Sequence, residues 1–149
     1  VINLSVNLTD KDSGWDKFAQ ELDALKGKKV VVGIQSNEDT ELLKYANANE
    51  FGTEIIPPRP FIRQTFEKEL ETLKETGFKL GEQVMFGKLS HKSALELWGG
   101  KFISLIRSEV AEGNNFEPNA PLTIRKKGAG KHPLQDSGRL MQALKAVVE

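Results

Sequence analysis

Three prolines in four positions, Pro57-Pro58-Arg59-Pro60, constrain this chain more than any other stretch. Each ring holds φ near about −65° and removes a backbone donor, and each residue before a proline is pushed out of the helical region. The segment is therefore expected to be a stiff, extended connector. It follows a small-residue helical run that stops at Phe51-Gly52 and a short strand-like step at Glu54-Ile55-Ile56. It precedes a long, charged, amphipathic run. A connector of this kind sets the angle of the next helix, which suits a part of an assembly better than a catalytic site.

The 149 residues are the size of one domain, here 1–149, and long enough for a real core. Cysteine is absent, which removes disulfides, thiolate nucleophiles and cysteine metal sites together. No apolar run approaches the length of a membrane span. The first residues (VINLSVNLTDKD) lack a basic region and a long apolar stretch, so no signal peptide is expected. Net charge is zero but unevenly spread. Residues 1–60 carry seven Lys/Arg against ten Asp/Glu, and residues 119–149 carry six against two. An acidic front and a basic tail suit head-to-tail contact between copies, or a local contact with phosphate.

Hydrophobic spacing predicts the elements. Ser13 can cap a first helix, with Asp16 three residues on; Trp15, Phe18, Leu22 and Leu25 recur at helical intervals, and Gly27 ends the run. Lys28–Ile34, with its Val30-Val31-Val32 block, reads as a buried strand. Asp39 or Thr40 caps a second helix, with Leu42, Tyr45, Ala46 and Asn49 on one face and Gly52 as a left-handed C-cap. From Ile62 to Val84, apolar residues recur every three or four positions, which predicts one amphipathic helix of about six turns. Gly77 and Gly81 lie on or beside its stripe, where a close helix crossing would explain them. Ser90 caps a further helix bearing Leu95, Trp98, Phe102, Leu105, Ile106 and Val110. A bend is expected at Gly99-Gly100, and the helix ends at Gly113-Asn114-Asn115. The last third reads as loop-rich. Asp136 or Ser137 caps a helical turn at 138–141, and Ala143–Val148 ends the chain as a strand pairing near 28–34. The fold class is α+β: a small mixed β-sheet packed against a long antiparallel helix hairpin, with a loop-rich C-terminal third.

Two segments together resemble a known family. One is Asn49-Glu50-Phe51-Gly52 followed by Ile56-Pro57-Pro58-Arg59-Pro60-Phe61. The other is Pro118-Asn119-Ala120-Pro121-Leu122-Thr123-Ile124-Arg125-Lys126-Lys127-Gly128, then Lys131, Pro133-Leu134 and Asp136-Ser137-Gly138-Arg139-Leu140. In this order, with two long helices between them, they are similar to the neck and tail-completion proteins of tailed bacteriophages and prophages, from about Lys28 to Val148. His132, Gln135 and Ser137 depart mildly from the family pattern. The resemblance implies a structural virion protein, made in the host bacterial cytoplasm. It forms a ring, often of six copies, at the head–tail joint and lets genomic DNA pass without sequence-specific contact. Neck or head-completion proteins and tail-tube or tail-terminator proteins are the implied neighbours. The family offers no catalytic residues to carry over.

Arg59, between prolines, can donate a bidentate contact to a carboxylate of its own fold or of an adjacent copy. Phe61 is expected to anchor the core beneath the helix start. Arg59, Phe61, Asp136 and Arg139 are the candidate subunit-interface residues, and a variant lacking Arg59 and Arg139 is expected to stay folded but assemble poorly. Arg125, Lys126, Lys127 and Lys131 face either DNA or an acidic partner. A nucleic-acid-binding module acting through the basic loop 125–132 is the alternative function. Gly128-Ala129-Gly130-Lys131 fails as a phosphate loop, because Arg125 stands at the first glycine position and His132 follows the lysine. His91 and His132 have no metal-ligand companion at helical spacing. Glu67, Glu71 and Glu75 are interleaved with lysines, as on a solvated face. No catalytic, cofactor or metal residue is assigned, and no enzyme activity is expected.

Overall fold

The computed structural model describes residues 13–35, 39–113, 115–121, 124–125, 133–134 and 138–149. Among them the chain mixes helix and strand. In order come α1 (Ser13–Leu25), β1 (Val30–Ile34), α2 (Thr40–Phe51), α3 (Phe61–Lys68), α4 (Leu70–Met85), α5 (His91–Glu112), α6 (Arg139–Gln142) and β2 (Leu144–Val148). The sheet has two antiparallel strands, β1 and β2, with Val30 opposite Val148 and Ile34 opposite Leu144. The terminal strand thus pairs where the sequence places it, but the sheet is antiparallel, not mixed.

Val30, Val32 and Ile34 share one face of the sheet with Leu144, Ala146 and Val148, because side chains alternate along a strand. That face rests on α5. Gly99 makes the approach possible: a Cβ there would stand 2.5 Å from the Ala146 Cβ and 2.9 Å from Val30 Cγ1. The glycine pair expected to bend this helix leaves it unbroken from His91 to Glu112. Gly99 admits the sheet, while Gly100 faces open space. Gly77 packs against the Trp98 indole, as a close helix crossing requires, whereas Gly81 has no such neighbour. Trp98 Nε1 also donates to the Leu73 carbonyl at 2.8 Å, tying α5 to α4.

The core gathers Ala46, Phe61, Ile106, Val110, Phe116, Leu134, Leu140 and Leu144, where α2, α3, α5, α6 and the sheet converge. The long helix expected from Ile62 to Val84 is broken at Glu69 (φ −101°, ψ 14°) into α3 and α4. Thr65 lies fully buried four residues earlier, and its hydroxyl donates to the Phe61 carbonyl at 2.7 Å. Such back-bonding bends helices. It lets α3 follow α5 through the Phe66–Phe102 ring contact while α4 meets Trp98.

Caps fall largely where the sequence puts them. The Asp39 carboxylate accepts the Glu41 N–H at 3.0 Å, and Ser90 Oγ accepts the Ser93 N–H at 3.1 Å. Gly113 closes α5 in the left-handed region. Gly52 has positive φ (78°) but ψ of 170°, so it sits in the extended mirror region reserved for glycine, not in the left-handed helical one. A Cβ there would also press on Pro58. The strand-like step at 54–56 is instead a tight turn, in which Thr53 Oγ1 accepts the Ile55 and Ile56 N–H groups and Thr53 N donates to the Ile56 carbonyl. Gly138 precedes α6, so that turn starts one residue late; Asp136 and Ser137 lie outside the described residues.

Candidate functional site

Three residues of the first resemblance segment, Asn49, Glu50 and Arg59, form one buried polar clasp. Among Pro57-Pro58-Arg59-Pro60, only Arg59 retains a backbone N–H, and it donates to the Asn49 carbonyl at 2.5 Å. The connector does not stay extended. Pro60, at φ −75° and ψ 69°, makes an inverse γ-turn in which the Phe61 N–H donates to the Arg59 carbonyl at 2.7 Å. The Arg59 guanidinium then points inward, 7 % exposed. Its Nε donates to the Glu117 carbonyl at 2.7 Å, one terminal nitrogen to the Asn49 Oδ1 at 3.1 Å, and the other to the Pro118 carbonyl at 2.9 Å. One side chain thereby joins the end of α2, the proline connector and the segment after α5.

Glu50 completes the clasp. Its carboxylate accepts the Ile62 N–H at 3.0 Å, the Arg63 N–H at 3.1 Å and the Arg63 Nε at 3.2 Å, and its carbonyl accepts a terminal nitrogen of Arg63 at 3.0 Å. The first three N–H groups of α3 are therefore all engaged: Phe61 by the γ-turn, Ile62 and Arg63 by Glu50. A carboxylate at a helix N-terminus also meets the positive end of the helix dipole. Among the described residues, no buried side-chain polar atom lacks a hydrogen-bond partner. The clasp is fully satisfied, and it fixes the direction in which α3 leaves the connector.

An ion pair and a carboxylate–histidine contact brace the helices. Lys68 on α3 reaches the buried Glu109 on α5 at 2.6 Å, and Asn115 donates to the other Glu109 oxygen at 2.7 Å. Burial opposes ionisation of Glu109, but the Lys68 and Asn115 hydrogen bonds and the lysine charge outweigh it and hold the carboxyl below the usual glutamate range. The hydrogen bond to Glu109 in turn raises Lys68. Glu21 on α1 accepts the His91 N–H at 2.7 Å and lies 2.5 Å from His91 Nδ1, so α1 caps α5; these two hydrogen bonds lower the Glu21 pKa.

The structure divides the candidate interface residues. Arg59 and Phe61 are inside the subunit, Phe61 only 1 % exposed, so neither presents its side chain to a neighbour. Arg59 satisfies backbone carbonyls and an amide, not a carboxylate. Arg139 is exposed and pairs with Asp39 of the same chain at 2.9 Å, so basic tail meets acidic front within one subunit at this point. Its guanidinium lowers Asp39, after the larger effect of the Glu41 N–H. Arg125 is exposed; Lys126, Lys127, Lys131 and Asp136 lie outside the described residues. Sequence reasoning marked Asn49 and Glu50 as motif residues but missed their roles, and it missed the Glu109–Lys68 pair altogether. Glu50 caps a helix that starts eleven residues downstream, beyond the short spacing of a local capping signal.

The surface holds the remaining candidate. Trp15, Leu22, Phe78, Met85 and Phe86 are exposed along α1, α4 and the turn after α4; Phe78 is 77 % exposed and Phe86 69 %. They rim two grooves that share Phe18, Val84 and Met85. A third groove, of about 460 Å³, runs between β1 and α3. Among the described residues no cluster of three or more His, Asp or Glu is placed to hold a metal, and no helix is long and apolar enough to cross a membrane. Compared with family models, curated proteins and solved structures, the chain matches none.

Proposed function

We propose that this chain is a structural subunit of a tailed-phage virion, acting by self-association as a ring at the head–tail joint. In this reading six copies surround a lumen through which DNA passes, and the ring completes the tail between head-completion and tail-terminator or tail-tube proteins. α4 and α5 serve as a stiff antiparallel hairpin, and the loop-rich last third reaches the neighbouring parts. The virion assignment is supported by the two motif segments described above.

The observation that carries self-association is the apolar strip of Trp15, Leu22, Phe78, Met85 and Phe86. Monomeric proteins rarely expose contiguous apolar patches beyond a few hundred Å². A second copy is the occupant chosen, because a closed ring needs heterologous patches of this kind on each subunit. The clasp supports the same reading, since a rigid α2–α3 angle makes the relation between copies repeatable. With Arg59 and Phe61 buried, the interface role passes from them to this strip.

Light scattering of the purified chain across concentration tests the proposal. A mass that is a multiple of the 16.6 kDa subunit, reduced to one subunit in Phe78→Asp/Phe86→Asp, is expected. A single-subunit mass at every concentration would end the ring reading, and absence of the chain from purified particles would end the virion reading.

A further inference from the structure

We propose that the turn bearing Phe51 and Ile55 is a knob that seats in the groove between α1 and the end of α4 of a second copy of this chain. The inference rests on the self-association proposed above and names the surface that meets the apolar strip.

Symmetry calls for such a second surface. A strip that met the same strip on another copy would make a two-fold pair and stop there, whereas a ring of more than two copies needs two different, complementary patches on each subunit. Ile55 is the most exposed large apolar residue among those described, at 91 %. Single exposed apolar side chains are common, but this one is held in place. Thr53 Oγ1 accepts the Ile55 and Ile56 N–H groups at 3.3 and 2.9 Å, and the Thr53 N–H donates to the Ile56 carbonyl at 2.8 Å. Phe51, four residues earlier, is also exposed, and the Arg63 guanidinium, fixed by Glu50, stands 5.2 Å from its ring centre. The buried clasp ties down both ends of this segment, at Asn49 and Arg59. Two apolar side chains on a braced backbone lose little freedom when they dock, which favours association.

The socket holds about 350 Å³ between Trp15 and Phe18 of α1 and the stretch Val84, Met85 and Phe86. Its charges complement the knob. Lys17 lines it, Lys88 lies over the Phe86 ring at 5.9 Å, and Glu21, the carboxylate among its described lining residues, is engaged by His91. On the knob, Arg63 is paired with Glu50, and Glu54, beside Ile55, is exposed and brings the opposite sign to the two lysines.

Position makes the contact one between copies. α5 runs unbroken from His91 to Glu112, about 33 Å. At its start the Glu21 carboxylate, which lines the socket, accepts the His91 N–H. At its end Asn115 bonds to Glu109, and the Glu117 and Pro118 carbonyls hold the Arg59 guanidinium at the base of the knob. Knob and socket thus lie toward opposite ends of one helix, and the knob cannot enter its own socket. Joined head to tail, every subunit uses both, which is the heterologous contact that closes a ring.

The full-length chain tests this by light scattering of two variants, alone and mixed. Ile55→Asp spoils the knob and Phe86→Asp the socket; both positions are exposed, so circular dichroism is expected to be unchanged. Each variant alone is expected to need about tenfold or more of the concentration at which the unaltered protein assembles, and to be a single subunit at that concentration. Mixed there, they are expected to give a species of twice 16.6 kDa that grows no further, since one intact knob meets one intact socket. Normal assembly of Ile55→Asp overturns the knob, and normal assembly of Phe86→Asp overturns the socket, while the ring reading stands. Two single-subunit variants whose mixture stays single overturn the seating of this knob in this socket. An unaltered protein that is single at every concentration overturns both proposals.

Discussion

Gly99 and Gly100 are neighbours in one helix, and the structure gives the same substitution opposite effects at the two positions. In Gly100→Ala the new methyl meets nothing within 4 Å, so the helix gains propensity alone, about 0.5–1 kcal/mol. In Gly99→Ala the methyl lies 2.5 Å from the Ala146 Cβ and 2.9 Å from Val30 Cγ1, one atom on each strand. The Ala146 methyl has no rotamer to yield, so the sheet must lift off α5 by about an ångström to restore ordinary contact. Overpacking costs about 1–3 kcal/mol, and with both strands pressed the upper half of that range applies. After the propensity gain, a loss of about 1–2 kcal/mol remains, leaving the two variants about 2–3 kcal/mol apart. At about 2–4 °C per kcal/mol for a chain of this size, their melting temperatures separate by about 4–12 °C, with the unaltered protein between them. Thermal melts followed by circular dichroism read this directly. Adding Ala146→Gly should recover part of the Gly99→Ala loss, since the pair is in contact. If both single variants shift the melt in the same direction, sheet and helix do not meet at Gly99 and the account of how α5 seats the strands is wrong.

Arg59→Ala should cost about 3 kcal/mol or more in urea unfolding, because it strands the Asn49 amide oxygen and two carbonyls around a buried gap; a loss below about 0.5 kcal/mol would show that the clasp carries no load. This reverses the sequence-based expectation that an Arg59 variant stays folded, and it leaves Arg139→Ala as the substitution suited to testing assembly. Glu109→Gln should flatten the acid limb of stability. The folded carboxyl is held below its unfolded value, so its stabilisation is complete above the ordinary glutamate range and is lost as pH falls through the lowered folded value. An unchanged difference in stability between Glu109→Gln and the unaltered protein from neutral pH into that acidic window would contradict the Lys68–Glu109 assignment.

Local signals were legible wherever one residue type has one steric or hydrogen-bonding use. The Val30-Val31-Val32 block marked a strand, Asp39 and Ser90 marked helix starts, and Gly27 and Gly113 marked helix ends, because each depends on atoms within a few residues. The break at Glu69 was not legible. Helical periodicity continues through it, and it accompanies a Thr65 back-bond and the separate contacts of α3 and α4 with α5. The candidate site divided the same way. The motif residues Asn49, Glu50, Arg59 and Phe61 stood out in the chain, but their use did not.

By itself, then, the sequence determined the two paired strands and most of the helices, the absence of disulfides, and a proline segment that keeps a single N–H. Tertiary structure alone decided that Arg59 turns inward to carbonyls of residues 117 and 118, that Glu50 caps α3, and that Gly99 exists to admit a sheet. The reason is distance along the chain. Caps and periodicity are satisfied by near neighbours, whereas a guanidinium, a carboxylate or a missing methyl takes its meaning from whatever folding brings beside it.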